Sequence, residues 1–348
     1  MIDLVDILEK LSNASGVTGS EDEVRVLMKE FLKPNVDELE EDKLGNVIGI
    51  RRGKESAPKI MFAAHMDEVG LMVINITKDG FLQFTKLGGI SDRILASQKV
   101  VVHSRAASLP GVIGSKPPHI LKEEERKKVI EAEDLYIDIG ASKKEEVEQM
   151  GVRIGDPVSF DVKFTRMGKE MVMGKAFDDR VGCAVMVEAM RRLSESECTV
   201  CAVGTVQEEV GLRGATTAAF QLAPDLGIAI DVTIAGDVPG IKEVEAPIKI
   251  GKGPSLTVAD ASLITHPQVL KLLMSAAEES KIPFQLEGGR RGGTDAGKIA
   301  LTKGGIPSGV ISIPTRYIHT PFSVVNLMDV ENTIKLAIAS VKDAPKFF

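Results

Sequence analysis

His65 and Asp67 form a His-x-Asp pair at the end of the apolar run 59–64. Four further groups of this kind recur beside apolar segments. Asp178-Asp179 stands ahead of a helix-patterned stretch, Glu208-Glu209 follows 199–206, Asp231 follows 226–230, and His319 comes a short loop after 309–313. Ligands of open α/β sheets bind beyond the carboxyl ends of the strands, so groups at several such ends converge on one cleft. Two carboxylates about 4 Å apart repel by roughly 4 kcal/mol at an effective dielectric near 20. Such a cluster either takes up protons or holds cations. Two imidazoles in the set favour a nitrogen- and oxygen-binding metal such as Zn or Co over Mg or Ca. Each pair is weak alone: Asp-Asp is commonly a helix N-cap and Glu-Glu a solvated loop. Their joint placement beside apolar strands is what carries the reading. Asp67, two residues past His65 and on the same strand face, could also orient the imidazole through its second nitrogen.

The elements that must position these groups fall into three stretches. In the first, Ile2, Val5, Leu8 and Leu11 predict a helix, and Ser20-x-x-Glu23 predicts a capping box opening a second one. Segments 36–41 and 46–52 read as a hairpin about Leu44-Gly45, and 59–64 as a buried strand. Between Gly70 and Lys163 short strands dominate, over 71–76, 81–86, 99–103, 135–139 and 157–162. Pro110, Pro117 and Pro118 interrupt this stretch, the mixed-charge run 122–128 reads as solvated, and 142–150 reads as a helix with a Ser142/Glu145 capping box. From Asp179 onward helices (179–193, 215–222, 267–279, 294–301, 329–341) alternate with strands (199–206, 226–230, 309–313). Alternation of this kind predicts an α/β sheet covered by helices, interrupted by a β-rich insert.

Composition removes several classes. The chain has 348 residues, a net charge of −7, five His, three Cys and no Trp. An acidic chain poor in aromatics suits neither phosphate backbones nor base stacking, so nucleic acid is not expected as a partner. Three cysteines do not make a disulfide framework, and Cys198-x-x-Cys201 lies in an apolar run that reads as core. The start, MIDLVDILEK, lacks the basic and apolar regions of a signal peptide, and no run is long enough to span a membrane. A cytoplasmic protein is expected. Gly292-x-x-x-x-Gly297-Lys298 begins like a phosphate loop, but Ile299 replaces the required Ser or Thr. A G-x-S-x-G elbow for serine hydrolysis is missing. His103 and His266 read as structural, His119 as a candidate pocket residue, and 288–293 as a flexible loop near the site.

The ordered motifs AAHMDEVG (63–70), KAFDDRVGC (175–183), VQEEVGLRGA (206–215), AIDV (229–232) and YIHTPFSVV (317–325) resemble the tetrahedral, or TET, metallo-aminopeptidases. GSKPPHIL (114–121) and GGTDAG (292–297) resemble further segments of that family. The resemblance covers nearly the whole chain. It implies a mixed-sheet α/β metallo-exopeptidase domain, residues 1–69 and 164–348, with helices on both faces. It also implies an inserted β-barrel-like dimerisation domain, residues 70–163, and twelve subunits assembled as a tetrahedron. Carried over residue by residue, it implies two divalent ions, Zn or Co. Asp178 bridges them, His319 and Glu209 complete one, and His65 and Asp231 complete the other. Glu208 is then the general base and Asp67 orients His65, for removal of N-terminal residues from short peptides. The competing enzyme readings are a metal-dependent deacylase or carboxypeptidase, with Arg290 or Arg316 anchoring a carboxylate, and a glycoside hydrolase using paired acids. A structural assembly protein is the non-enzymatic alternative.

Overall fold

In Lys59–His65 alternate side chains enter two different cores. Ile60, Phe62 and Ala64 join one apolar cluster, Met61 and Ala63 another, as the twofold period of a strand requires. This strand is therefore covered on both faces. The computed structural model describes residues 3–289 and 292–348. The chain enters through α1 (Leu4–Asn13), α2 (Asp22–Leu32), β1 (Glu38–Glu41), β2 (Val47–Arg51) and β3 (Lys59–His65). It continues through β4 (Gly70–Ile76), β5 (Leu82–Leu87), β6 (Lys99–His103), β7 (Ser108–Gly114), α3 (Glu123–Arg126), β8 (Tyr136–Asp138), α4 (Lys144–Gln149) and β9 (Pro157–Phe160). It returns by β10 (Thr165–Met167), β11 (Met171–Gly174), α5 (Phe177–Arg192), β12 (Thr199–Thr205), α6 (Arg213–Leu222) and β13 (Leu226–Ile234). The last leg is β14 (Ser255–Ala259), α7 (Pro267–Glu279), β15 (Gln285–Gly288), α8 (Asp295–Ala300), β16 (Ser308–Arg316), β17 (Ser323–Asn326) and α9 (Leu327–Asp343).

Two sheets result. Strands β4-β5-β8-β7-β6-β9 close into a barrel around its own apolar core, which includes Leu71, Val100, Ile113, Ile137 and Val158. An 11-stranded mixed sheet runs β1-β2-β12-β3-β13-β16-β17-β11-β10, with β14 and β15 branching from β16. Its centre, β12-β3-β13-β16, is parallel. The carboxyl ends of these strands therefore point the same way. One face carries α1, α2, α5, α7 and α9, and the other α6 and α8. The α5 segment is buried on all sides from Asp179 to Met190, which explains why its sequence shows more than the single apolar stripe of a surface helix.

Several expectations shift in detail. The buried stripe of α1 is Leu4, Ile7, Leu8 and Leu11, while Val5 is only half-buried; Ile2 lies outside the described residues. Three-residue steps drift off the 3.6 period, and the true face is set by the turns of the helix. Neither capping box forms. Glu23 instead accepts from the Ser15 amide, and the Ser142 amide donates to Glu146 rather than pairing with Glu145. A strand, β7, runs through Pro110; at that residue β7 is paired only with β6, since its pairing with β8 starts at Val112. An imino acid is tolerated where one side of the strand needs no donor. Cys198 and Cys201 are both buried free thiols on opposite faces of the sheet, in separate cores.

Candidate active site

The donor-bearing residues all gather at the carboxyl ends of the parallel strands. His65 ends β3, Glu208 and Glu209 lie just past β12, and His319 lies just past β16. Asp231 sits inside β13, which runs four residues further than its apolar pattern suggested. Asp178 sits at the head of α5, where Asp178 and Asp179 have non-helical dihedrals and are joined by a cis peptide. Ala176, Gln207 and His319 adopt left-handed φ values of 53°, 55° and 56°. Such conformations are held only where the surroundings over-determine them, and they cluster at functional sites. Here each one turns the chain at or beside a donor.

Asp178 lies between the two imidazoles. Its Oδ1 is 3.0 Å from His65 Nε2 and its Oδ2 is 3.3 Å from His319 Nε2. Glu209 Oε2 is 3.8 Å from His319 Nε2, and Glu208 Oε2 is 3.9 Å from His65 Nε2. Ligand atoms of His65, Asp178 and Glu209 fall within 4.8 Å of one another, as do those of His65, Glu208 and Asp231. All five residues assigned as metal ligands, and Glu208, thus come together. Proximity alone divides them differently from the resemblance, because His65 belongs to both groups and Glu208 stands among the donors.

A surrounding layer fixes these groups. Asp67 accepts the Glu208 amide on Oδ1 (3.0 Å) and the Glu209 amide on Oδ2 (3.2 Å), and Thr18 Oγ1 donates to the same Oδ2 (2.9 Å). His65 Nδ1 is 3.1 Å from the Asp67 carbonyl and 3.6 Å from its carboxylate. Asp67 therefore holds the backbone of the two glutamates as well as facing the imidazole. His319 Nδ1 meets the carbonyl of Gly89, between β5 and β6, at 3.1 Å. Asp179 accepts from the Gly182 amide, as a helix cap does, and also from the His65 amide. Beneath them Glu68 pairs with buried Lys175 (2.7 Å) and Arg180 (3.4 Å).

Sequence reasoning assigned no role to Asp295. It is buried, accepts from Thr205 Oγ1 at 2.5 Å, and its other oxygen has no partner among the described residues. The one signal was an acid at the first helical position after a glycine run. His119 is exposed and lies outside the site cavity. Arg316 forms a two-pronged pair with Asp237 (3.0 and 2.7 Å), so it does not serve as a free carboxylate anchor. Arg290 lies outside the described residues.

Crowding carboxylates in a buried site favours their neutral forms. Burial first, then the charge of Asp178, pushes Glu209 up to about 8 and Asp231 to about 7. Burial also raises Glu208 well above the carboxylate range, with His65 opposing it and Asp231, Asp295 and Glu209 adding to it. Asp178 goes the other way, since hydrogen bonds with His319 and His65 overcome its burial. Its hydrogen bond with Asp178 raises His319 to about 10. A set of imidazole and carboxylate donors that holds several protons near neutral pH fits divalent cations, which replace those protons. Metal uptake should therefore release protons and tighten as pH rises through about 7–8. Calorimetric titration of the metal-free protein in two buffers of different ionisation enthalpy checks this. An affinity unchanged between about pH 6 and 8.5 would contradict it.

The sequence profile of the M42 glutamyl aminopeptidase family matches residues 45–336. The chain belongs to this M42 aminopeptidase family. It is 39% identical over 341 residues to a lysyl aminopeptidase of Pyrococcus furiosus, covering 97% of this chain and 96% of that one. Its fold superposes on an aminopeptidase from the archaeon Desulfurococcus kamchatkensis with a TM-score of 0.95 and 45% identity, covering 99% and 96% of the two chains. It also superposes on the TET1 peptidase of Pyrococcus horikoshii, described as assembling into a tetrahedron or a large octahedral shell, with a TM-score of 0.86, 34% identity, and 97% and 99% coverage. As an M42 aminopeptidase the protein hydrolyses peptide bonds, which favours that reading of the acidic cluster over glycoside cleavage.

Proposed function

We propose that this M42 enzyme removes N-terminal residues from short peptides at two divalent ions, Zn or Co, held by His65, Asp178, Glu209, Asp231 and His319. The observation that carries this is the convergence of those donors around Asp178, with Glu208 buried among them and anchored through its amide by Asp67. Asp178 contacts both imidazoles and is suited to bridge the ions. Bound ions would polarise the scissile carbonyl and lower the pKa of water from 15.7 toward about 7. Glu208 takes the proton of the attacking water and returns it to the leaving nitrogen, a task suited to a carboxylate whose proton affinity is raised. Asp67 keeps Glu208 and Glu209 on their separate tasks by gripping both amides. Cleavage of amino-acid anilides should vanish with chelator and return with Zn or Co; activity that survives complete metal removal would refute the reading.

The same reading takes residues 1–69 and 164–348 as the catalytic domain and 70–163 as a dimerisation domain. The resemblance to TET enzymes supports a homo-oligomer, probed as a tetrahedral dodecamer by light scattering. None of the described helices is long and apolar enough to cross a membrane, which is consistent with a cytoplasmic location.

A further inference from the structure

A cavity of about 560 Å³ opens at the donors and is also lined by Glu243, Glu245, Asp260 and Glu287. Among the described lining residues there is no Lys or Arg. Two of these acids are only half committed. Glu287 Oε2 accepts from Thr233 Oγ1 (2.6 Å) and Ser255 Oγ (3.4 Å), while Oε1 has no hydrogen-bond partner among the described residues. Asp260 Oδ1 accepts from Ser262 and Leu263 amides (2.6 and 2.7 Å), while its Oδ2 is shielded from solvent and has no partner among the described residues. The two carboxylates are close enough for Asp260 to add to the effect of burial in raising Glu287. A carboxylate oxygen left without a donor in such a place is costly, and a cation with several donors removes the cost.

The spacing also fits. Thr233, which holds Glu287, lies two residues beyond Asp231 in β13 and on the same strand face, about 6–7 Å along the strand. A lysine ammonium rides on a flexible four-carbon stem with three donors. A substrate whose α-amine lies at the donor end can therefore extend such a stem toward Glu287, with the Asp260 carboxylate beside it adding negative charge. Val244 and Ile318 in the cavity wall provide apolar cover for the methylenes.

We infer that this cavity receives the side chain of the substrate's N-terminal residue and selects a basic one, with Glu287 and Asp260 as the specificity-determining carboxylates. The inference rests on the site proposed above. The family profile and the Pyrococcus furiosus relative carry different residue names, glutamyl and lysyl, so the choice is made by the chemistry of the lining.

The test is a panel of lysyl, arginyl, norleucyl, leucyl and glutamyl anilides on the metal-loaded enzyme, with calorimetric binding of free lysine against norleucine. Charge-assisted hydrogen bonding is expected to raise kcat/KM for lysyl over norleucyl substrate by about 10–100-fold. Glu287→Gln and Asp260→Asn should each lower that ratio, and free lysine should bind more tightly than norleucine. Preferential cleavage of glutamyl anilide is one result that overturns the inference. Equal use of lysyl and norleucyl substrates also overturns it. Failure to cleave any anilide with metal restored would instead refute the peptidase site itself.

Discussion

Glu208→Gln is expected to lower kcat by about 10²–10⁴-fold, the range typical for loss of a general base, while the protein still binds two ions per subunit. The substitution keeps the shape of the side chain and the amide that donates to Asp67. It removes the ability to accept and return a proton. Because Glu208 is buried and its proton affinity is raised by its surroundings, no nearby solvent-exposed carboxylate substitutes for it. KM should move much less than kcat, since the lost interaction belongs to the transition state. Metal content measured by mass spectrometry alongside kcat separates the two roles open to this residue. Proximity places Glu208 with His65 and Asp231; if Glu208→Gln empties one metal position, Glu208 is a ligand and the assignment of the two glutamates is reversed.

Glu68→Ala should destabilise the fold by about 3–5 kcal/mol, the cost of leaving a buried charge without its partner. Glu68 is 2% exposed and faces Lys175 (2.7 Å) and Arg180 (3.4 Å), which are 4% and 0% exposed. The Arg180 side chain also donates to the carbonyls of Met66, Leu11 and Ala14. It thereby ties the segment before Asp67 to the first helix. Burial already depresses Lys175, and without Glu68 it would be depressed further. The unfolded chain then binds more protons than the folded one at this residue, so stability rises with pH. The deficit of the variant should therefore grow as pH falls from about 9 toward 6. Urea midpoints at both pH values check it. A loss under about 1 kcal/mol at low pH would show that the pair makes no net contribution, which is the usual outcome for exposed rather than buried pairs.

The donor set was legible in the chain because parallel strands present their carboxyl ends on one side, and apolar runs of about the right length mark those ends. His65, Glu208, Glu209 and His319 could be placed from that rule alone. Asp231 was placed one step off, since β13 continues through it; a strand whose last residues face a polar cleft loses its apolar pattern before it loses its hydrogen bonds. Asp178 was legible as an acid before a helix, but a residue at that point is ordinarily a cap. Asp179 in fact makes the cap-like bond to Gly182, which leaves Asp178 to face the imidazoles.

Other features depended on contacts between distant segments. The capping boxes failed because Glu23 took the Ser15 amide, and Glu146 rather than Glu145 took the Ser142 amide, a competition that local spacing does not encode. The strand through Pro110 was hidden because proline reads as an interruption unless its neighbours in the sheet are known. Glu68, Lys175 and Arg180 are charged residues that would ordinarily be assigned to the surface, and only the packing of α1, β3 and α5 makes them a buried cluster.

The sequence by itself determined the residue types of the site, their order along the chain, the alternation that makes an α/β sheet, and the resemblance that pointed to a metallopeptidase. Tertiary structure decided which carboxylates stand close enough to trade protons for cations, that Asp67 grips the two glutamates, and that Gly89 reaches across to His319. It also decided that Asp260 and Glu287, far apart in sequence, face one cavity. Composition and periodicity follow from each residue's own hydration and backbone preference, whereas proton affinity and specificity depend on distances between segments that meet only in the folded chain.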